Sequence, residues 1–165
     1  MIILEDRIIN ERLKKQDIKS LYFDFNRYMQ DFKRGQTPFT PAVGICLEIN
    51  TSLKMIDKIG LEQYILKINK LANDFREKAH SLPVKIPSYP LSNAVTPIIF
   101  EKPVAYKVFL ELKNNYDVYV NPTGGEMHDY CVRISHIGKI SQEDNTYLVS
   151  CIKEVYDKVM HEDKK

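Results

Sequence analysis

Several residue types that mark common protein classes are scarce in this chain. Among its 165 residues there are no tryptophans, six glycines and three cysteines. Cys46, Cys131 and Cys151 are odd in number and have no Cys-x-x-Cys spacing, so the sequence predicts neither a disulfide framework nor a zinc site. We interpret all three as buried free thiols.

Long apolar runs and a surplus of one charge are also missing. No stretch approaches the roughly 20 apolar residues that span a bilayer, and charged residues follow Met1 too closely for the core of a signal peptide. Lysine plus arginine number 24, against 22 for aspartate plus glutamate. We therefore expect neither nucleic acid nor a membrane as a partner, and we expect a cytoplasmic location.

Apolar residues are plentiful enough for one compact domain, since 44% of the chain is hydrophobic. The clearest helical pattern lies at 61–82, where apolar residues recur at intervals of three and four positions. A helix is also predicted at 41–56, with Thr40 as its cap. Two more are predicted at 104–114 and after the capping box that begins at Ser141.

Strands are predicted between these helices. Residues 94–100 are rich in β-branched side chains, and Pro97 implies an edge position or a bulge. Two further strands, at 116–121 and 130–136, are joined by a loop that contains proline and glycine. This order of elements predicts an α+β fold, in which helices cover one face of a small antiparallel or mixed sheet.

Arg133 is the first residue for which the pattern favours a binding role. Strand alternation places it on the face opposite Val132 and Ile134. A guanidinium on a rigid strand can bind a carboxylate through two parallel hydrogen bonds and so orient an amino or keto acid. Position alone leaves the alternative of a surface arginine paired with an acidic neighbour.

Thr37 and Thr40 form a second candidate site. They lie just before a predicted helix, where hydroxyl groups and free backbone amides can converge on an anion such as a phosphate. An ordinary threonine cap at a proline-containing helix entry explains the same residues. From the residues alone, both interpretations stay open.

Other chemistries have no specific support. His128 and His136 are too far apart for a helical metal pair, and His80 and His161 have no acidic partners at ligand spacing, so no metal site is predicted. There is no Gly-x-Ser-x-Gly turn. The loop at 121–125 lacks the spaced glycines and the lysine of a phosphate-binding loop.

Three sequence motifs occur in the order in which one enzyme family has them. The motifs are Gly35-Gln36-Thr37-Pro38-Phe39-Thr40-Pro41-Ala42-Val43, Ile59-Gly60-Leu61-Glu62 and Val132-Arg133-Ile134-Ser135-His136-Ile137-Gly138. In this order they resemble the class V aminotransferases, with the closest similarity to the branch of alanine-glyoxylate, serine-pyruvate and 2-aminoethylphosphonate-pyruvate transaminases. The resemblance covers nearly the whole chain.

This resemblance implies roles for the candidate residues. Arg133 matches the arginine that binds the substrate carboxylate, and Thr40 matches the threonine that reaches the phosphate of pyridoxal phosphate in the partner subunit of a homodimer. Thr37 stands where several members have a tyrosine for the same phosphate, and Ser135 replaces a usual glycine. The implied reaction moves an amino group between an amino acid, or an aminophosphonate, and a small 2-keto acid such as pyruvate or glyoxylate.

The resemblance also implies a division of the chain. Residues 1–34 match a remnant of the large domain and a linker, and residues 35–165 match the C-terminal small domain. None of the lysines stands in the family's Ser-x-x-Lys context, so the Schiff-base lysine is expected upstream of Met1, in an N-terminal large domain. We expect no catalytic residue in this chain, which alone would be an inactive fragment that does not hold the cofactor.

A free-standing α+β binding or interaction module, descended from that domain without catalysis, is the alternative. Such a module would be a monomer with a complete core. A fragment would instead have a poorly packed first 30 residues and exposed apolar surface that favours self-association.

Overall fold

The computed structural model describes residues 4–13 and 19–162. The chain divides into two compact units, Met1–Lys54 and Met55–Lys165. The division falls inside a long helix. The predicted boundary between a large-domain remnant and a small domain, at residue 34, stays a prediction.

The first unit contains two short helices, α1 (Asp6–Glu11) and α2 (Phe25–Phe32), and the beginning of α3 (Val43–Ile59). Asp24 caps α2, since its side chain accepts a hydrogen bond of 3.0 Å from the amide of Asn26. None of the described residues of this unit is buried. The unit therefore has no core of its own within its described residues.

Helix α3 begins two residues later than predicted. The amide of Val43 donates to the carbonyl of Pro41 over 2.8 Å, so the chain makes a tight turn before the helix. The carbonyl of Ala42 accepts the first helical hydrogen bond, from Cys46. The prediction that Thr40 caps this helix is therefore wrong, because Thr40 precedes the cap position.

The second unit is built on a four-stranded antiparallel sheet with the order β1-β2-β4-β3. Helices α4 and α5 pack against the sheet, and α6 packs against both helices. This confirms the predicted α+β fold with helices on one face. The elements are α4 (Leu61–Lys78), β1 (Val84–Lys85), β2 (Val95–Phe100), α5 (Ala105–Tyr116), β3 (Asn121–Pro122), β4 (Cys131–Ser135) and α6 (Gln142–Glu162).

The core lies between the helices and the sheet. Along β2 every second residue is buried, which directs Thr96, Ile98 and Phe100 toward the helices. The apolar stripe predicted at 61–82 is buried only in its C-terminal half, since Leu61 is 64% exposed. The residues that share this core include Phe75, Ala79, Leu82, Val104, Val108, Leu112, Val132, Ile134, Ile152, Val155 and Val159.

One strand prediction needs correction, and one strand was not predicted. Residues 116–120 are not a strand, because α5 continues to Tyr116 and Asp117 ends it with a positive φ of 53°. Only Asn121 and Pro122 pair with β4, and proline cannot donate to the ladder, which keeps this edge short. Strand β1 was not predicted, since two residues are too few to form an alternating pattern.

The predicted capping box and two of the three predicted buried thiols are confirmed, whereas the third thiol is exposed. At the start of α6, Ser141 Oγ accepts from the Asp144 amide over 3.2 Å, and Asp144 Oδ2 accepts from the Ser141 amide over 2.8 Å. Cys131 and Cys151 are buried free thiols, but Cys46 is exposed because it lies on α3 in the first unit.

None of the helices formed by the described residues is long and apolar enough to cross a membrane.

Candidate functional site

Arg133 lies in the middle of β4, with Pro97 of β2 and Asn121 of β3 as its register partners. It is exposed, whereas Val132 and Ile134 on either side are buried against the helices. The predicted alternation along this strand is therefore correct. Arg133 stands on the sheet face opposite the helix layer.

The guanidinium of Arg133 is held by a main-chain group. Its Nη2 donates to the carbonyl of Pro122 over 3.2 Å. None of the ion pairs within residues 4–13 and 19–162 includes Arg133. The described structure thus gives no carboxylate partner to this arginine, and its other N–H groups are available to a ligand.

A cavity of about 410 Å³ opens beside Arg133 on this face of the sheet. Its volume falls within the range that small-molecule sites occupy. Most of the wall is apolar, and the polar exceptions are Arg133, Thr123, Ser92 and Tyr89. The apolar lining and the thiol come from Pro87, Pro90, Leu91, Val95, Pro97, Ile99, Met127 and Cys131.

Thr123 stabilises one wall of this cavity through hydrogen bonds to main-chain carbonyls. Its amide donates to the carbonyl of Cys131 over 3.3 Å, and its hydroxyl lies within hydrogen-bond distance of the same carbonyl. The hydroxyl also lies 3.2 Å from the carbonyl of Met127. Thr123 is therefore bound both to β4 and to the loop that leads from Thr123 into β4.

Arg76 of α4 binds a segment that contributes another part of the cavity wall. Its Nε donates to Thr96 Oγ1 over 3.0 Å, its Nη1 to Asn93 Oδ1 over 3.1 Å and its Nη2 to the carbonyl of Ser92 over 2.8 Å. Ser92 lines the cavity. A single guanidinium therefore joins the helix layer to the segment that leads into β2.

His136 completes this network from the end of β4. Its Nε2 lies 2.8 Å from Thr96 Oγ1, and the ring is fully buried against Phe75. Burial, together with the positive charge of Arg76, lowers the pKa of His136 from 6.5 to about 4. The ring is neutral at pH 7, and its Nδ1 has no hydrogen-bond partner among the described residues.

Sequence reasoning missed this network. Arg76, Thr96 and His136 are separated by 20 and 40 residues in sequence. A local pattern carries no information about such contacts. The only visible indication was a polar residue, Thr96, at a position of β2 that the alternation assigns to the buried face.

Thr37 and Thr40 lie in the first unit, and both are exposed. The hydroxyl of Thr37 donates to the carbonyl of Phe39 over 2.6 Å, so its proton is already used within the loop. Thr40 stands shortly before the first turn of α3, whose free amides favour an anion.

Comparisons with known proteins give this arrangement a context. No protein-family model matches the chain. An alanine-glyoxylate aminotransferase from Nostoc sp. superposes with a TM-score of 0.81 and 18% identity, covering 93% of this chain and 42% of that protein. The chain has an aminotransferase small-domain fold. A ureidoglycine-glyoxylate aminotransferase from Bacillus subtilis agrees, with a TM-score of 0.74, 14% identity and coverage of 88% and 39%.

Curated relatives are similar in sequence along most of this aminotransferase-like chain. The soluble hydrogenase 42 kDa subunit of Anabaena cylindrica is 29% identical over 146 residues, which are 86% of this chain and 37% of that protein. An uncharacterized aminotransferase of Methanocaldococcus jannaschii is 25% identical over 150 residues, covering 87% and 38%. The chain thus spans less than two fifths of the length of these relatives. The predicted resemblance to class V aminotransferases is confirmed at the level of the fold.

Proposed function

We propose that this chain is the substrate-carboxylate-binding part of a pyridoxal-phosphate-dependent aminotransferase. The observation that carries the proposal is Arg133, an exposed arginine on a central strand, beside a cavity and without an ion-pair partner among the described residues. Its guanidinium binds the carboxylate of the amino acid and then that of the keto acid. Two parallel charge-assisted hydrogen bonds fix the orientation of each substrate.

In this proposal pyridoxal phosphate supplies the electron sink that lets an amino group leave one carbon and join another. Thr40 donates its exposed hydroxyl to the phosphate of the cofactor in the partner subunit of a homodimer. Thr37 contributes less to binding this phosphate, because its hydroxyl already donates to the Phe39 carbonyl. The Schiff-base lysine belongs to an N-terminal large domain, so the chain by itself neither holds the cofactor nor transaminates.

The proposed substrates are small. The amino donor is an amino acid or an aminophosphonate, and the acceptor is a 2-keto acid such as pyruvate or glyoxylate. Support comes from the names of two solved structures with this fold, both of which are glyoxylate aminotransferases. Every one of these molecules carries an acidic group that the Arg133 guanidinium can bind.

The first unit presents apolar side chains that could contact other protein surfaces in the complete enzyme. Its described residues include none that is buried, although many are apolar. In our proposal these side chains pack against the large domain and the partner subunit of the complete enzyme. The exposed apolar residues of this unit are Leu21, Tyr22, Phe23, Phe32, Val43, Ile45, Leu47, Ile49 and Leu53.

A free-standing binding module remains the second candidate, because the second unit has a buried core of its own. The two proposals differ at Arg133. The aminotransferase proposal requires it to bind a carboxylate, whereas a module that binds another protein does not.

The test is a titration of sodium pyruvate into the chain labelled with ¹⁵N-arginine, observed at the Arg133 Nε–Hε resonance. We expect Arg133→Ala to weaken binding about 10- to 100-fold, since a hydrogen-bonded ion pair is lost. Lys85→Ala, which removes an exposed cation of β1, is the control and keeps the affinity of the unaltered chain. Equal binding by Arg133→Ala, followed through other resonances, would refute the proposal.

A further inference from the structure

We propose that Thr123 is the positioning residue for Arg133. Thr123 holds the carbonyl of Pro122 at the point where it accepts a hydrogen bond from the Arg133 guanidinium. It thereby sets the direction in which Arg133 presents its remaining N–H groups to a carboxylate. This inference rests on the proposed function of Arg133.

Within the sheet, the strand that carries Pro122 is held by β4 alone, while α5 packs against it. Strand β3 is two residues long and pairs with β4 only through Asn121 and Pro122. Proline has no amide hydrogen to donate to the ladder. After Thr123 the chain continues into Gly124 and Gly125, and glycines restrain the backbone least.

Thr123 supplies the contacts that the strand lacks. Its amide donates to the carbonyl of Cys131 over 3.3 Å, and its hydroxyl donates to the same carbonyl. The hydroxyl also reaches the carbonyl of Met127 at 3.2 Å. Cys131 is buried and lies on β4 two residues before Arg133. The contacts of Thr123 thus connect the Pro122 carbonyl to the strand that carries the arginine.

A fixed Pro122 carbonyl defines the plane of the guanidinium. The five N–H groups of arginine lie in one plane, so the hydrogen bond from Nη2 to Pro122 restricts where the other donors point. A free arginine loses much side-chain freedom when it binds a ligand, and an arginine already held in place loses less. Thr123 therefore raises carboxylate affinity without touching the ligand.

The hydroxyl of Thr123 is engaged with the main chain. Its single proton is directed to carbonyl oxygens, so it has no proton left to donate to a carboxylate in the cavity. This distinguishes a positioning role from a direct contact. The distinction can be measured, because it predicts an effect on the motion of Arg133 before any ligand is added.

The experiment compares variants of the full chain by ¹⁵N relaxation of the Arg133 Nε–Hε group and by its titration with sodium pyruvate. Thr123→Val keeps the shape of the side chain and removes the hydroxyl, whereas Thr123→Ser keeps the hydroxyl. Thr146→Val is the matched control, because the Thr146 hydroxyl also donates to a main-chain carbonyl, that of Gln142 in α6, over 3.0 Å. Thr123→Cys, with a weaker donor of similar size, replaces the valine variant if that variant does not fold.

We expect Thr123→Val to lower the order parameter of Arg133 Nε–Hε and to weaken pyruvate binding about threefold to tenfold, as the loss of one hydrogen bond predicts. Thr123→Ser and Thr146→Val should stay within about twofold of the unaltered chain. Thr123→Cys should fall between these results. An unchanged order parameter and an unchanged affinity in Thr123→Val would overturn the inference.

The same titration separates this inference from the proposed function. Pyruvate binding that persists in Arg133→Ala would contradict the function proposed for Arg133. The order parameter of Arg133 in the ligand-free chain would still decide whether Thr123 positions it.

Discussion

Arg76 Nε donates to Thr96 Oγ1 over 3.0 Å, and Thr96 Oγ1 in turn lies 2.8 Å from His136 Nε2. A charged group on α4 is therefore linked through one buried hydroxyl to a neutral histidine at the end of β4. Protonation of His136 would place a second positive charge in a buried site near Arg76. The stability of the second unit consequently depends on His136 remaining neutral.

This dependence predicts a loss of stability in mild acid. The pKa of His136 is about 4 in the folded chain, below its ordinary value of 6.5, so between these values the unfolded chain binds more protons. The contribution of the neutral His136 ring to the free energy of unfolding is fully present above pH 6.5. It is lost as the pH falls toward 4, and the loss is at most about 3 kcal/mol. Urea unfolding at a series of pH values measures the slope.

Two variants test the origin of that slope. His136→Gln should make the free energy of unfolding nearly independent of pH between 6.5 and 4.5, whatever its effect at pH 7. His80→Gln, which changes an exposed histidine, should keep the slope of the unaltered chain. The same slope in both variants would show that another group titrates.

Arg76 is predicted to stabilise the chain through its three acceptors. Arg76→Ala leaves Thr96, Asn93 and the Ser92 carbonyl without their donor, and we expect a loss of about 2–4 kcal/mol in the free energy of unfolding. Lys67→Ala, at an exposed position of the same helix, should change it by less than about 0.5 kcal/mol. Chemical denaturation at pH 7 compares them, and equal stabilities would contradict the role given to Arg76.

Asn145 is predicted to join α6 to α4. Its Nδ2 donates to the Leu71 carbonyl over 3.0 Å and to Asp74 Oδ2 over 2.9 Å, and its side chain is buried. Burial acts to raise the pKa of Asp74, but hydrogen bonds from Lys78, Asn145 and other groups hold it below its usual value. Asn145→Ala should cost about 2–3 kcal/mol and bring the pKa of Asp74 closer to normal, as measured by urea unfolding and by carboxylate ¹³C shifts.

The cysteines should differ in reactivity. Cys46 is exposed, whereas Cys131 and Cys151 are buried, so we expect one thiol to react rapidly with a disulfide reagent in the native chain and all three in denaturant. Cys46→Ser should abolish the rapid phase. A rapid phase that survives in this variant would mean that a strand or α6 thiol is accessible in solution.

Local patterns predicted the parts of the structure that depend on neighbours in sequence. The helix at α4, the capping box at Ser141 and the orientation of Arg133 all follow from spacing or alternation. The short strands β1 and β3 were missed or misplaced, since two residues carry no period. The contacts of Thr123 and Arg76 were missed because they connect distant residues, and only the folded sheet brings those residues together.

The carboxylate-binding role of Arg133 is tested most sharply by the Michaelis constant for pyruvate in the proposed aminotransferase, in which this chain is joined to a large domain. If Arg133 binds the substrate carboxylate, Arg133→Ala should raise this constant about 10- to 100-fold, while Lys85→Ala should leave it unchanged. A Michaelis constant that is the same in Arg133→Ala and in the unaltered enzyme would contradict carboxylate binding by Arg133.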